Sequence, residues 1–189
     1  MKTLLKSAGM ILTILFLTNS LHAQIYADPT KVPQDGKAPG LKFKLLSETK
    51  DTKTYMLVFA KGDEVVAGIT EFAKKNNIKS ASYSGLGDAL AIKVGWFNYT
   101  EKKFKVINVD TAEITSLKGH IAWFKGKPVA HTHLSAAIED GSVKGGHLLE
   151  LISGPTVEIV LTTQPITLYK KLDPEYDAAL IDFDIKGNK

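Results

Sequence analysis

The chain has 189 residues with 24 basic and 20 acidic side chains, a formal net charge of +4 at pH 7. Every basic residue is lysine, so the chain lacks the planar guanidinium fork on which base readout depends, and sequence-specific DNA binding is disfavoured. It also has no cysteine, which excludes disulfides and leaves nitrogen and oxygen atoms as the groups that can hold a metal.

Residues 1–23 have the layout of a secretory signal. Lys2 and Lys6 form a basic start, "MILTILFLT" (10–18) is an apolar core too short to span a bilayer comfortably, and "SLHA" ends on a small residue. The alternative is a buried N-terminal helix, but no amphipathic stripe runs through the segment. Since no later apolar run is long enough to span, we expect an exported protein, periplasmic or secreted, without a membrane span.

The remaining residues divide into three parts. Residues 24–40, "QIYADPTKVPQDGKAPG", are rich in Pro, Gly and Asp and predict a flexible lead-in. Residues 41–169 hold the periodic segments and predict a single domain with its own core. Residues 170–189 form a C-terminal tail with one candidate edge strand, which the sequence does not place.

One segment of the domain, 62–77, has the period of a helix. Asp63 suits its N-cap, and Asn76–Asn77 suit its end. The apolar stripe consists of Val65, Val66, Ile69, Phe72 and Ala73.

The other periodic segments are short and strand-like. They are 41–46, 53–60, 78–87, 90–98, 104–110, 112–123, 129–139, 147–152 and 156–163. One helix followed by a long series of strands predicts an α+β fold, a single compact domain with a largely antiparallel sheet and one main helix.

Three histidines lie within 17 residues, in "HTHLSAAIEDGSVKGGH" (131–147). His131 and His133 project from the same face of a strand, and His147 can join them if "HLLELI" pairs back after turns at "EDGS" and "GG". Three neutral imidazoles without a fourth protein ligand describe an open zinc site, and other divalent transition metals also accept such a set. The alternative is a solvent-facing strand whose histidines have no partner.

Three further residues are candidates for supporting roles. His120 is either a group next to the metal or a half-buried strand residue. Glu113 and Glu158 lie in otherwise apolar strands, where an unpaired carboxylate is costly. Each either handles protons or orients a histidine at the site, or lies on the wet face of its strand.

The histidine block resembles a known family. "PVAHTHLSAAIEDGSVKGGHLLE", with "AEITSLKGHIA" before it, "GPTVEIVL" after it and "GDEVVAGITEFAKKNNIKSASYSGLG" upstream, is similar to the plants and prokaryotes conserved (PPC) domain over roughly residues 50–165. The resemblance implies that 41–169 form a PPC-like α+β domain that assembles as a homotrimer. It also implies that His131, His133 and His147 bind zinc near a subunit boundary.

The resemblance leaves the function open among three classes. The first is an exported zinc-binding protein for a small molecule. The second is a zinc-dependent lyase or hydrolase acting on a small carbonyl compound, because the fold is also similar to that of acetolactate decarboxylase. The third is DNA binding, which is disfavoured because the sequence has no arginine and no AT-hook, the Arg-Gly-Arg-Pro stretch of the plant members.

Overall fold

The computed structural model describes residues 24–31 and 33–185, so the predicted signal at 1–23 lies outside the described residues. Within these ranges, the chain forms ten strands and one helix. They are β1 (Tyr26–Ala27), β2 (Lys42–Glu48), β3 (Lys53–Ala60), α1 (Val65–Lys75), β4 (Ala81–Asn98), β5 (Lys103–Val109), β6 (Ala112–Phe124), β7 (Lys127–Ala137), β8 (Val143–Thr163), β9 (Lys170–Asp173) and β10 (Ala178–Ile181).

Eight strands form one antiparallel sheet in the order β1-β5-β4-β6-β7-β8-β3-β2, and β4 also pairs with β8. Strands β4, β6, β7 and β8 therefore form a closed circuit of pairings. Strands β9 and β10 form a separate hairpin. The predicted α+β fold with a largely antiparallel sheet and one main helix is confirmed.

Two of the predicted strand breaks are absent. Segments 78–87 and 90–98 belong to one strand, β4, and segments 147–152 and 156–163 to another, β8. The pairing of β4 with β8 continues past the expected breaks by shifting register next to Gly87, whose φ of +135° is a conformation that glycine adopts without strain. Gly87 is therefore a bend within β4 and not the end of a strand.

Helix α1 buries its whole predicted apolar stripe against the sheet. It ends at Asn76 and Asn77, as predicted, but its N-cap is Glu64 and not Asp63. The Glu64 carboxylate accepts hydrogen bonds from the N–H groups of Val66 (3.2 Å) and Ala67 (2.6 Å). Asp63 instead accepts from the backbone of Gly40 and Ala60, because it lies in the turn between β3 and the helix.

The chain segments on either side of the domain pack on it. In the predicted lead-in, β1 pairs with β5, and the Gly36 N–H donates to the Glu71 carboxylate at 2.8 Å. Just before the tail, the Leu168 carbonyl accepts a hydrogen bond of 2.7 Å from the Trp123 N–H, which holds the following β9–β10 hairpin against the end of β6. Both segments border the cavity described below.

The one helix in residues 24–31 and 33–185 is too short to cross a membrane.

Candidate metal centre

Strand pairing brings four histidines onto one face of the sheet. His133 on β7 lies directly opposite His147 on β8, and His131 lies opposite His120 on β6. The ring centroid of His131 is 5.3 Å from that of His133 and 4.9 Å from that of His147. The antiparallel return predicted for "HLLELI" is therefore present, and the three predicted ligands meet.

The ligand atoms of His131, His133 and His147 all lie within 4.8 Å of one another. Nitrogen ligands bound to one zinc ion at 2.0–2.1 Å are roughly 3.4 Å apart in a tetrahedron. Side-chain rotations that move the nitrogen atoms by about an ångström would bring them to that spacing. The donor set is all imidazole, which suits zinc and its transition-metal neighbours and not the oxygen-seeking ions calcium and magnesium. The three side chains fit a divalent transition metal.

The interior face of β7 fixes the strand that carries His131 and His133. Between them, Thr132 points inward and is 1% exposed. Its hydroxyl bonds the Tyr83 hydroxyl at 2.6 Å, and Tyr83 also donates to the His131 carbonyl at 3.4 Å. The Tyr83 ring passes over Gly119 of β6 to reach β7. A Cβ at Gly119 would collide with this ring and would lie 2.5 Å from the His131 carbonyl oxygen.

The glycine pair before His147 lies inside β8 and does not form the predicted turn. Gly145 is opposite Ser135 and Gly146 is opposite Leu134. A Cβ at Gly145 would lie 2.5 Å from the Leu134 carbonyl oxygen, so the pair is needed for close approach of neighbouring backbones. The chain reverses at "EDGS", as predicted, where the Ile138 N–H donates to the Ser142 carbonyl at 3.0 Å.

Partial burial keeps His131 and His147 in the form that binds a metal. Loss of solvent, reinforced by the nearby Lys170 ammonium, lowers the pKa of His131 to about 3. Burial, together with His133, lowers the pKa of His147 to about 4. Both rings are therefore neutral at pH 7, and neutral imidazole is the ligand form. Burial also lowers the pKa of Lys170, to about 8, so the charged ammonium form still predominates at pH 7.

His120 adjoins the cluster without joining it. Its ring contacts that of His131 edge to face, with centroids 5.0 Å apart. Its Nε2 is buried and makes no hydrogen bond among the described residues. Burial lowers its pKa. His120 is thus a half-buried strand residue in contact with one predicted ligand, and a role beside the metal stays a prediction.

The structure does not bring Glu113 or Glu158 to the histidines. Both are exposed, and neither borders the cavity on which the three rings open. Glu113 is opposite Asp88 at the far end of β6, where its pKa is raised because its protonated form can donate a hydrogen bond to the Asp88 carboxylate and because that carboxylate is negatively charged. Their strands present them to solvent, so the alternative of the wet face is the observed one.

Two cavity residues, Glu150 and Lys170, escape the sequence analysis. Strand alternation puts Glu150 on the face opposite His147, but β8 carries one extra residue at 149, where its register with β4 shifts. The bulge reverses the alternation and turns Glu150 into the cavity, where it pairs with Lys93 at 2.7 Å. Lys170 comes from the tail segment that periodicity does not place.

A cavity of about 1150 Å³ opens beside the histidines. Part of its wall is aromatic: Phe104 stacks on His147 with centroids 4.3 Å apart and 9° between the ring planes. Gly95 makes room for Phe104, since a Cβ there would lie 2.7 Å from its side chain. The volume is slightly above the range of about 300–1000 Å³ that is typical of small-molecule sites, so a small molecule fits. A candidate metal site, an aromatic stretch of wall and a lysine therefore surround one cavity.

Comparison with known proteins agrees with this geometry. The family model of the Plants and Prokaryotes Conserved (PCC) domain matches residues 46–165. A crystal structure of a candidate DNA-binding protein from Ralstonia eutropha JMP134 is 32% identical, with a TM-score of 0.65 over 68% of this chain and 90% of that chain. A plant- and prokaryote-conserved protein from Pyrococcus horikoshii is 31% identical, with a TM-score of 0.66 over 77% and 96%.

Two more distant structures share the fold to different degrees. A protein from Archaeoglobus fulgidus described as metal-containing is 22% identical, with a TM-score of 0.64 over 75% of this chain and 96% of that chain. The alpha-acetolactate decarboxylase of Bacillus subtilis strain 168 is 12% identical, with a TM-score of 0.38 over 68% and 60%. The predicted similarity to that enzyme exists but is slight. No curated protein matches the chain.

Proposed function

The chain belongs to the Plants and Prokaryotes Conserved domain family, and we propose that it is an exported, zinc-binding member whose histidine centre and cavity bind a small molecule. The observation that carries the proposal is the convergence of three imidazole nitrogens within 4.8 Å at the wall of the cavity. On a solvent-facing strand, nothing would require the three histidines to be gathered across two strands with His131 and His147 half-buried and neutral.

His131, His133 and His147 would hold the metal. The metal would supply a Lewis acid that attracts an oxygen atom of the bound molecule. The chain itself supplies the rest of the site: Phe104 restricts the ring of His147, and the Tyr83–Thr132 bond fixes the strand between the other two ligands. These contacts preorganise the cluster before a metal or ligand arrives.

Binding is favoured over catalysis because the carboxylates that border the cavity are engaged. Asp28 accepts hydrogen bonds from Thr30, Glu64 caps helix α1, and Glu150 pairs with Lys93. With Glu113 and Glu158 outside the cavity, the lyase or hydrolase alternative lacks a free carboxylate for proton transfer in the part of the chain that the structure describes. Absence of zinc-dependent turnover on 2-hydroxy-3-oxo acids and simple esters is the expected result.

The metal proposal is tested by elemental analysis of the purified protein. We expect about one zinc per chain in the wild type and none in the double variant His131→Ala, His133→Ala. His120→Ala is the matched control, because it removes a neighbouring histidine that the ligand set does not include. Equal, negligible zinc in the wild type and the double variant would end the proposal.

The homotrimer is part of the proposal. Strand β2 lies at one edge of the sheet and is exposed along its whole length, including Phe43 at 54% and Leu46 at 52%. Apolar side chains on an open edge strand favour association with another chain. Native mass spectrometry should give three chains per particle, and a monomer at micromolar concentration would contradict the assembly.

Export rests on the layout of residues 1–23. Expression of the full chain in a bacterial host should yield a mature protein that begins near Gln24, measured by intact mass. DNA binding, the class suggested by the description of the Ralstonia protein, predicts an affinity that falls steeply with added salt. A weak response that is flat with salt is expected here.

A further inference from the structure

The β9–β10 hairpin, which lies after the family-matched segment, brings a lysine to the histidine centre. The family model matches residues 46–165, whereas the hairpin begins at Lys170. Besides the hydrogen bond from Trp123, it is held by Lys102, whose ammonium donates to the Pro174 carbonyl at 3.2 Å, and by an edge contact between the rings of Tyr99 and Tyr176. The hairpin is therefore fixed at the cavity at both of its ends.

Lys170 lines the same cavity as the three predicted ligands and is half-buried. Its charge acts on the rings of His120, His131 and His147, since it contributes to the lowered pKa of each. Four ion pairs occur in residues 24–31 and 33–185, and none of them includes Lys170; its ammonium makes no hydrogen bond there either. A half-buried ammonium is costly unless an anion meets it.

The acids of the cavity do not provide that anion. Glu150 is paired with Lys93, and Glu64 accepts three backbone N–H groups, from Val66, Ala67 and Leu151. A divalent cation on three neutral imidazoles would add its full charge next to Lys170. This step rests on the proposed function. The electrostatic potential at this wall of the cavity would then be strongly positive, which favours a negatively charged ligand.

We propose that the cavity binds a small organic carboxylate whose carboxylate group pairs with the Lys170 ammonium while its carbon skeleton lies against the aromatic wall. Among the described residues, four lysines border the cavity, but Lys93 is paired with Glu150 and both Lys31 and Lys37 are exposed. Lys170 is therefore the half-buried ammonium, whose charge one carboxylate matches. A phosphate is a poorer match, because it needs several donors and Glu64 already occupies the N-terminal N–H groups of α1. Phe104 and Tyr176 supply the apolar surface for the carbon skeleton.

The test uses zinc-loaded full-length protein and three probes: benzoate, benzamide as its neutral isostere, and inorganic phosphate. Binding is measured by calorimetry or ligand-observed NMR. We expect benzoate to bind more tightly than benzamide or phosphate, and Lys170→Met to weaken benzoate at least about tenfold, the loss of one charge-assisted contact. Benzamide binding should not change in this variant.

Lys171→Met is the matched control, because Lys171 is the next residue of β9 and is exposed. It should bind all three probes as the wild type does, and Lys170→Arg, which keeps the charge, should retain most of the benzoate affinity. Zinc content and thermal unfolding are measured for each variant, so that a misfolded Lys170→Met protein is recognised and Lys170→Gln takes its place.

The possible failures are distinguishable. A wild type without zinc would contradict the metal proposal and remove the positive charge that the metal would add next to Lys170. Zinc present in wild type and Lys170→Met alike, with benzoate binding that does not depend on Lys170, would overturn the carboxylate proposal alone. Equal affinity for benzoate and benzamide, no benzoate binding, or preferred binding of phosphate would overturn it as well.

Discussion

The two faces of strand β7 differ in how their side chains are packed and hydrogen-bonded. On the interior face, Thr132, Leu134 and Ala136 are at most 5% exposed and are closed by packing and by the Tyr83 hydroxyl. On the other face, His131 and His133 make no side-chain hydrogen bond with any residue in 24–31 and 33–185 and open to the cavity. Strand alternation thus lets one segment support stability on one side and present ligands on the other.

The largest effect on stability should come from the interior face. Leu134→Ala should lower the free energy of unfolding by about 2–5 kcal/mol, because it removes a buried side chain and leaves a space in the core. Chemical denaturation measures this. Val143→Ala, at an exposed position of β8, is the control and should change stability little. Similar losses in the two variants would contradict the contrast between the faces.

The histidine face should show the reverse behaviour. His147→Ala should weaken zinc binding at least about 100-fold, or about 2.7 kcal/mol, since it removes one of three ligands. The variant should unfold at nearly the same denaturant concentration as the metal-free wild type, because zinc itself stabilises the folded state that binds it. Competition with a chromophoric chelator measures the affinity, with His120→Ala as the control. A His147→Ala affinity within about threefold of wild type would rule out this residue as a ligand.

An intermediate effect is expected where the two faces meet. Tyr83→Phe removes the 2.6 Å bond to Thr132 and leaves a buried hydroxyl without its partner, which should cost about 1–2 kcal/mol of unfolding free energy. Zinc affinity should fall much less than in His147→Ala. Tyr55→Phe is a suitable control, because the Tyr55 ring is held by edge contacts with Phe43 and Phe72. Equal stability of Tyr83→Phe and wild type would show that the bond does not fix β7.

The smallest effect should be a pH dependence at the helix end of the cavity. Burial raises the pKa of Glu64 above its ordinary value of 4.5, against the lowering effect of its backbone hydrogen bonds. A raised pKa in the folded state contributes stability at low pH and loses it as the pH rises through the folded pKa. The stability of wild type relative to Glu64→Gln should therefore decrease from about pH 4 to about pH 7. Chemical denaturation at each pH measures this difference in stability. An increase of the difference from about pH 4 to about pH 7 would contradict a raised pKa of Glu64.

The sequence predicts the features that depend on local periodicity. The two-residue spacing of His131 and His133 gives their shared face, and the stripe of α1 gives its buried side. The turn at "EDGS" brings β8 back so that His147 meets His133. These predictions are confirmed because alternation and turn chemistry act over a few residues.

Features that depend on long-range pairing escape it. The extra residue at 149 changes the face on which Glu150 lies, and it is visible only in the register of β8 with β4. Lys170 reaches the cavity because Trp123 holds the hairpin, a contact between residues far apart in sequence. Glu64 replaces Asp63 as the N-cap because Asp63 bonds Gly40 instead. In each case a tertiary contact outweighs a local preference.

X-ray absorption at the zinc edge of the metal-loaded protein tests the central claim most directly. Convergence of His131, His133 and His147 on one ion predicts three imidazole scatterers per zinc, at about 2.0 Å, and their loss in the variant that replaces all three with alanine. A spectrum dominated by oxygen ligands, or one that the triple replacement leaves unchanged, would contradict the account.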